Sequence, residues 1–474
     1  MAHYDRLSAQ DRTFLELEGP NTHMHVAGCF VFEKGPLATP QGGVDIDKIR
    51  DYVASRLHRI PRYRQRIEWI PVENHPVWVD DERFNIHYHV RHTALPAPGD
   101  DRQLKRFCGR VMSQQLDRGK PLWEMWVVEG LEHDRFALVC KTHHCMVDGV
   151  SGVDLLAVLL SPTPEKDFDP AGRWLPNPVP GGATLLRDAV LRRVELPFAI
   201  AGAVGAALRA PSETWARVQE TASAFGETLS ATLTPATDTP LNRPIGPHRR
   251  FDWVGFDIDE VKKIKNRLGG TVNDVVLATV AGAIGRYFEQ RGIPHARQRA
   301  MEFRAFCPVS VRADHERGAL GNRVSGMLAK LPIAEQDPQR RIERVRAITK
   351  HLKESKQALG AELLTSVSEW TAPTLATMAS RLAFDHRSSN MVVTNVPGPQ
   401  IPLYLLGARM TETYPMVPLF SSMGLGIALF SYGGGLYWGI VSDWDQFPDL
   451  HDFVRALDAS FRELCDAAEE AAGD

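Results

Sequence analysis

The stretch Thr142-His143-His144-Cys145-Met146-Val147-Asp148-Gly149 constrains the chain more than any other. Ahead of it, Arg135-Phe136-Ala137-Leu138-Val139-Cys140 is a short apolar run that reads as a largely buried strand. Behind it, Val153, Leu156, Ala157 and Leu160 recur at helical spacing, so the local plan is strand, turn, helix. Successive side chains of a strand point to opposite faces, and His143 and His144 therefore cannot both enter one pocket while the strand stays regular. One imidazole faces a reaction and the other supports the scaffold. With an unperturbed pKa of about 6.5, a histidine accepts a proton near neutral pH, which suits a general base acting on a hydroxyl or thiol. Asp148 is placed to shape the turn or to pair with a buried arginine, and Gly149 allows a backbone conformation that other residues resist.

Other chemistries fit this stretch less well. Two histidines satisfied in a core would leave the following Asp-Gly turn unexplained. A zinc site needs convergent ligands, whereas neighbouring strand histidines diverge, and the chain has no His-Glu-x-x-His and no paired Cys-x-x-Cys; no metal is expected. Cys145 beside His144 is a candidate nucleophile, but a small buried cysteine is its commoner fate. Gly149-Val150-Ser151-Gly152 fails as a serine elbow because Val153 stands where Gly-x-Ser-x-Gly requires glycine.

A chain of 474 residues supports two or three domains of ordinary size. A formal charge of -3 with no basic tail gives no electrostatic reason to expect nucleic acid, and six scattered cysteines fit reduced thiols in a cytoplasmic protein. The amino terminus lacks the apolar core of a signal peptide. The longest apolar run, Leu196 to Leu208, has 13 residues including Pro197, against about 20 needed to cross a bilayer. The chain is therefore expected not to span a membrane.

Proline-rich stretches at 161–180 and 234–247 divide the sequence into an amino-terminal lobe (1–180), a helical connector (181–247) and a carboxy-terminal lobe (248–474). In the connector, helices over 183–232 carry apolar residues with Arg187, Arg192, Arg193 and Arg209 nearby, a pattern for docking on anionic lipid or for packing between lobes. The amino-terminal lobe should hold a strand at Met24–Phe30, a helix at Ile46–Arg59, a helix at Leu104–Leu116 and a strand at Pro121–Glu129 beside that of His143. Arg62, Arg64 and Arg66 alternate along an extended segment, either as a solvated strand face or toward phosphate. His87 and His89 share a strand face but lack a third ligand. The carboxy-terminal lobe should hold a long helix opened by Thr271-Val272-Asn273-Asp274, a strand at Asn390–Pro399 and a hairpin turning on Gly433-Gly434-Gly435. Leu436–Asp443 followed by a helix from Leu450 repeats the strand-then-helix plan of the histidine stretch, which suggests two similar lobes with one base.

His-His-x-x-x-Asp-Gly at a strand end resembles the signature of acyltransferases related to chloramphenicol acetyltransferase and to peptide-synthetase condensation domains. Four further features of this sequence resemble the bacterial wax ester synthase/acyl-CoA:diacylglycerol acyltransferase (WS/DGAT) family in order. These are Leu7-Ser8-x-x-Asp11 with Met24-His25-Val26, Pro121-Leu122-Trp123, Asn273-Asp274, and Asn395-Val396-Pro397-Gly398-Pro399. The resemblance spans nearly the whole chain. It implies an α/β fold of two chloramphenicol acetyltransferase-like lobes, each a mixed sheet flanked by helices, with a tunnel between them. It also implies an enzyme that moves a fatty acyl group from acyl-CoA to diacylglycerol or a long-chain alcohol. His144 would be the base, supported by His143 and Asp148, with Asn273 at the oxyanion. Gly149, Trp123, Asp274 and Asn395 would bind substrate, and His25 either contacts substrate or is bonded within its strand. The expected partners are fatty acyl-CoA as substrate rather than cofactor, the lipid acceptor, an inner-membrane or lipid-droplet surface, and a second copy in a homodimer. Two alternatives are another superfamily acyltransferase and a non-catalytic lipid-binding protein.

Overall fold

The computed structural model describes residues 4–146, 154–191, 235–310, 324–354, 388–420 and 422–471. In chain order the strands are β1 (Asp5–Arg6), β2 (His25–Glu33), β3 (Gln65–Trp69), β4 (Pro76–Asp80), β5 (Val90–Ala94), β6 (Trp123–Leu131), β7 (Arg135–His143) and β8 (Arg249–Asp257). They continue with β9 (Arg304–Ser310), β10 (Val324–Lys330), β11 (Met391–Pro397), β12 (Tyr404–Leu405), β13 (Ala408–Met416), β14 (Leu425–Tyr432) and β15 (Gly435–Asp443).

Two six-stranded mixed sheets carry the fold, in the orders β12-β13-β2-β7-β6-β5 and β10-β9-β11-β14-β15-β8. β2 and β7 lie in the middle of the first sheet and are covered on both faces, which is why β7 reads as an unbroken apolar run rather than an alternating one. The strands expected around His25, Trp123, His143 and Asn395 all form. So does the hairpin, with Gly433 and Gly434 at φ 52° and 91° where side-chain-bearing residues are strained.

Three local expectations need correction. The helix expected from Leu104 starts at Asp101, because Asp100 and Gln103 form a reciprocal capping box that opens it earlier. His87 and His89 sit on a helical turn, Ile86–His89, begun by the Asn85 side chain accepting from the His87 N–H; His87 is exposed and His89 buried. Pro61–Arg64 is a 3₁₀ turn rather than extended chain, and β3 starts after it. Of the connector, the structure describes a helix at 182–191; the remaining helices expected up to 232 fall outside the described residues.

The chain crosses over between the two sheets. β13, from the carboxy-terminal half, pairs antiparallel with β2, and β12 extends that edge, so 404–416 complete the sheet that holds His143. The seam is an apolar core in its own right. The helix Asp101–Ser113 brings Leu104, Cys108, Val111 and Met112 against Phe251, Trp253, Tyr414 and Val441. Gly109 permits that helix to approach β8 closely, since a Cβ there would stand 2.9 Å from the Arg249 carbonyl oxygen. The tightest approach is at Gly439 on β15, where an added Cβ would stand 1.8 Å from the Pro415 carbonyl oxygen of β13. Neither backbone can yield without disturbing a ladder. Gly439→Ala should therefore destabilise the protein by about 1–3 kcal/mol or more, as overpacking does. Thermal denaturation followed by circular dichroism would read this as a clear drop in Tm; an unchanged Tm would mean that the sheets are not held this close.

Candidate active site

β2 and β7 run antiparallel in the register that sets His25 directly opposite His143, and directly opposed residues share a sheet face. His143 closes the strand, its N–H donating to the Leu122 carbonyl at 2.9 Å. The chain then enters a 3₁₀ turn, His144–Met146. Two bonds hold this turn. The Cys145 N–H donates to His143 Nδ1 at 3.1 Å, and the His144 N–H donates to the Met24 carbonyl at 2.7 Å. The two imidazoles thus part as strand alternation requires, His143 fully buried and His144 partly exposed.

The His144 ring stacks on Phe14 with centroids 4.0 Å apart. Burial pushes its pKa down to about 4, against a bond to its own main-chain carbonyl that works the other way. Nδ1 has no partner in another described residue. Cys145 is buried, and burial pushes its thiol well above the ordinary value, so the nucleophilic alternative fails for want of thiolate.

Behind the turn lies a buried polar layer. Glu18, at the carboxy-terminal cap of the helix Ala9–Leu17, places Oε1 3.4 Å from His25 Nε2 and Oε2 3.7 Å from His143 Nε2. Arg118 donates to Oε2 through Nε at 2.9 Å and Nη2 at 2.6 Å. Burial opposes ionisation of Glu18, but the neighbouring His143 imidazole and the Arg118 guanidinium outweigh it and hold the carboxyl below its usual range. His25 is wholly buried, and burial, with Lys141 and His143 nearby, pushes it well below its ordinary value; it is a neutral ring in the layer, not a surface contact. Two residues earlier on the same face of β7, buried Lys141 pairs with Glu124 at 2.7 Å and donates to the Val111 and Gln114 carbonyls at the end of the helix Asp101–Ser113.

The carboxy-terminal lobe divides the Asn273-Asp274 pair. Asp274 belongs to the helix start: Oδ2 accepts from the Thr271 N–H at 2.7 Å and hydroxyl at 2.8 Å, and Oδ1 accepts from Thr349 at 2.6 Å. Asn273 takes no part in that cap. Its Oδ1 accepts from Asn395 Nδ2 at 2.8 Å, so its own amide N–H₂ remains available as donor. Both asparagines line a cleft of about 480 Å3, counting space open to solvent, together with Leu277, Cys307, Met327 and Lys353.

The structure thus gathers His143 and His144 at the end of β7 in one lobe, and in the other Asn273 and Asp274 at the start of the helix Val272–Gln290 beside Asn395 on β11. Trp123 is fully buried on β6, stacked on His89 at 4.6 Å with its indole N–H donating to the Tyr63 carbonyl. Asp148 and Gly149 fall outside the described residues. The arginines considered for phosphate have protein partners: Arg62 lies over Trp78, Arg64 donates to the Ala54 carbonyl, and Arg66 pairs with Glu68 at 2.6 Å. Among the described residues no group of three His, Cys, Asp or Glu side chains could hold a metal ion. Phe14, Glu18 and Arg118 escaped the sequence reading. Only the apolar-polar sequence of the first helix, which places Phe14 and Glu18 four residues apart on one face, could have hinted at two of them.

Comparison with known proteins bears on this arrangement. Residues 7–276 match the wax ester synthase/diacylglycerol acyltransferase catalytic domain, and residues 320–465 match the WS/DGAT C-terminal domain. A putative diacylglycerol O-acyltransferase of Mycobacterium tuberculosis is 34% identical, with 98% of this chain and 91% of that protein covered. The solved wax ester synthase/diacylglycerol acyltransferase from Marinobacter aquaeolei superposes with a TM-score of 0.69 at 25% identity, over 98% of this chain and all of that one. The first condensation domain of the CDA synthetase shares the fold at a TM-score of 0.57 and 14% identity, over 98% of this chain and 96% of that one. Two sheets joined by an exchanged strand, the histidine turn and both matched domains together mean that the chain belongs to the wax ester synthase/diacylglycerol acyltransferase family.

Proposed function

We propose that this protein transfers a fatty acyl group from acyl-CoA to the hydroxyl of diacylglycerol or of a long-chain alcohol, with His144 as general base. The observation that carries the reading is a neutral, partly exposed imidazole on a turn held by one backbone bond to Met24 and one bond from the Cys145 N–H to the His143 ring, in a chain of this family. In the proposed reaction Nε2 takes the proton of the acceptor hydroxyl as its oxygen attacks the thioester carbonyl. The tetrahedral oxyanion is met by a donor, for which the free amide of Asn273 is the candidate, and the protonated imidazole returns its proton to the departing coenzyme A sulfur. No acyl-enzyme is needed, which agrees with a buried, protonated Cys145. Both acceptors are poorly soluble lipids, so the enzyme would work at a membrane or droplet surface; among the described residues no single helix is long and apolar enough to cross a membrane.

Release of free thiol from a fatty acyl-CoA, with hexadecanol, with diacylglycerol and with no acceptor, tests the reading directly. Acceptor-dependent release is expected, and none with any acceptor would overturn it. His144→Ala should lose most turnover while keeping the wild-type circular dichroism spectrum; a folded variant with wild-type turnover would remove His144 from the mechanism.

Asn273→Ala should lower kcat by about 10²–10³-fold, the usual effect of deleting one oxyanion donor, with Tm unchanged because Thr271 and Asp274 supply the cap. Asp274→Ala should instead cost about 0.5–2 kcal/mol of stability as a lost cap. If Asn273→Ala lowers Tm without lowering kcat, its role is structural.

The pH profile provides a separate check. Burial disfavours the imidazolium, so the base stays neutral down to a pKa of about 4, and the acid limb of kcat/KM should lie near there rather than near 6.5. The linked stability change has the matching sign. As pH falls from about 6.5 toward 4, the unfolded chain binds a proton that folded His144 refuses, so stability declines over that window. An acid limb at 6.5 in folded enzyme would show that His144 is not the titrating base.

A further inference from the structure

We propose that Glu18 is a positioning residue for this site, fixing the tautomer of His143 so that His143 can hold the turn that carries His144. The proposal rests on the reading of His144 as base and extends it to a side chain that touches neither substrate.

The chain of contacts runs in one direction. His143 Nδ1 accepts the Cys145 N–H at 3.1 Å, and a ring nitrogen can accept only if it carries no proton. The neutral ring must then bear its proton on Nε2. That nitrogen is buried without a hydrogen-bond partner among the described residues, and Glu18 Oε2 stands 3.7 Å from it. A carboxylate there favours a proton on Nε2 and disfavours a lone pair. If the proton moved to Nδ1, two N–H groups would face each other and the Cys145 N–H would be left buried and unpaired, releasing the turn between His143 and Met146.

The carboxylate is itself fixed. The Glu18 side chain is 1% exposed, and its Oε2 is gripped by Arg118, which reaches it from beyond the helix Asp101–Ser113. The short helix Ala9–Leu17, which Glu18 caps, brings Phe14 against the face of His144. Phe14 limits the base from one side while Glu18, through His143, limits the backbone from which it projects. A displacement of the base by about 1 Å is enough to cost on the order of 10²-fold in rate, so a residue with no contact to the reacting atoms can govern kcat.

Three variants separate this role from simple support of the fold. Glu18→Met removes the acceptor at nearly constant volume, and the partly exposed Arg118 can turn to solvent. It should lower kcat by about 10- to 100-fold, the range seen when partners that orient a functional histidine are removed, with KM for acyl-CoA within about twofold. Glu18→Gln should recover most of that loss, because Arg118 will hold the amide oxygen where Oε2 now lies. In a His143→Asn background, where the Oδ1 of the asparagine can accept the Cys145 N–H whatever its neighbour, Glu18→Met should change kcat by less than about twofold. An equal loss in both backgrounds would show that Glu18 acts on the fold and not through His143, and would overturn the proposal.

Independently of turnover, ¹⁵N spectra of histidine-labelled wild-type protein, assigned with His143→Asn, should show His143 protonated at Nε2 and bare at Nδ1. A proton on Nδ1 would overturn the proposal even if Glu18→Met failed to fold. Should the wild-type protein release no thiol with any acceptor, the transferase reading fails while this spectrum still decides the tautomer.

Discussion

A slip of one residue between β2 and β7 would exchange the two histidines, turning His144 into the buried layer and His143 outward, because side chains on a strand alternate with period two. Everything proposed for this protein depends on that slip not occurring. The register is held by an unbroken ladder of nine opposed pairs, from Glu33 with Arg135 to His25 with His143. It is also held by what each face demands. The buried face past His143 offers a carboxylate, a guanidinium and another imidazole; the outer side offers the ring of Phe14. An imidazole that must be bonded and an imidazole that must be free are matched to different surroundings, so the wrong register would bury an unpaired ring and expose the wrong one.

The buried layer is expensive to form. A carboxylate taken out of water is tolerated only when paired and hydrogen-bonded, and Glu18 relies for this on Arg118, which donates twice to Oε2, while Oε1 is left without a hydrogen-bond partner among the described residues. Apolar residues could fill the same space with less demand on geometry. A polar layer directly behind a functional turn is better explained by the direction it imposes, since hydrogen bonds fix orientation where apolar contacts only fix distance.

Much of the architecture was legible in the sequence because it is written in short-range patterns. β7 and the helix opened by Thr271 are set by apolar runs and caps, and the structure agrees with the reading of both. The helix at Asp101 began three residues early because a capping box at Asp100 outweighed the first apolar position. The turn at His87 was misread because alternating polar residues fit a strand equally well until Asn85 is seen to cap. The dipeptide Asn273-Asp274 carried two compatible meanings in sequence, and only the side-chain bonds divide them. Glu18 and Arg118 were beyond reach for another reason: they stand 100 positions apart, and no local pattern links a helix-terminal glutamate to a distant loop arginine.

The exchanged strand has a consequence for how the two halves of the site are placed. β2, whose His25 opposes His143, is bonded on its other edge to β13. β13 continues through residues 417–424 into β14, and β14 is bonded in parallel to β11, where Asn395 lies opposite Leu429. From the histidine strand to the asparagine strand the path is therefore three ladders and one short connection, with no long linker in it. Proline-rich segments near 161–180 and 235–247 suggest a chain of hinged pieces when read alone. The short path argues the opposite: sliding one sheet past the other would strain the connection from β13 to β14 and open the apolar seam beside Trp253 and Tyr414, which stack at 4.5 Å. The linkers can be irregular because they do not set the spacing. The proposed base and the proposed oxyanion donor would need a fixed separation to act on one carbonyl, and the short connection from β13, laddered into the first sheet, to β14, laddered into the second, supplies it together with the apolar seam.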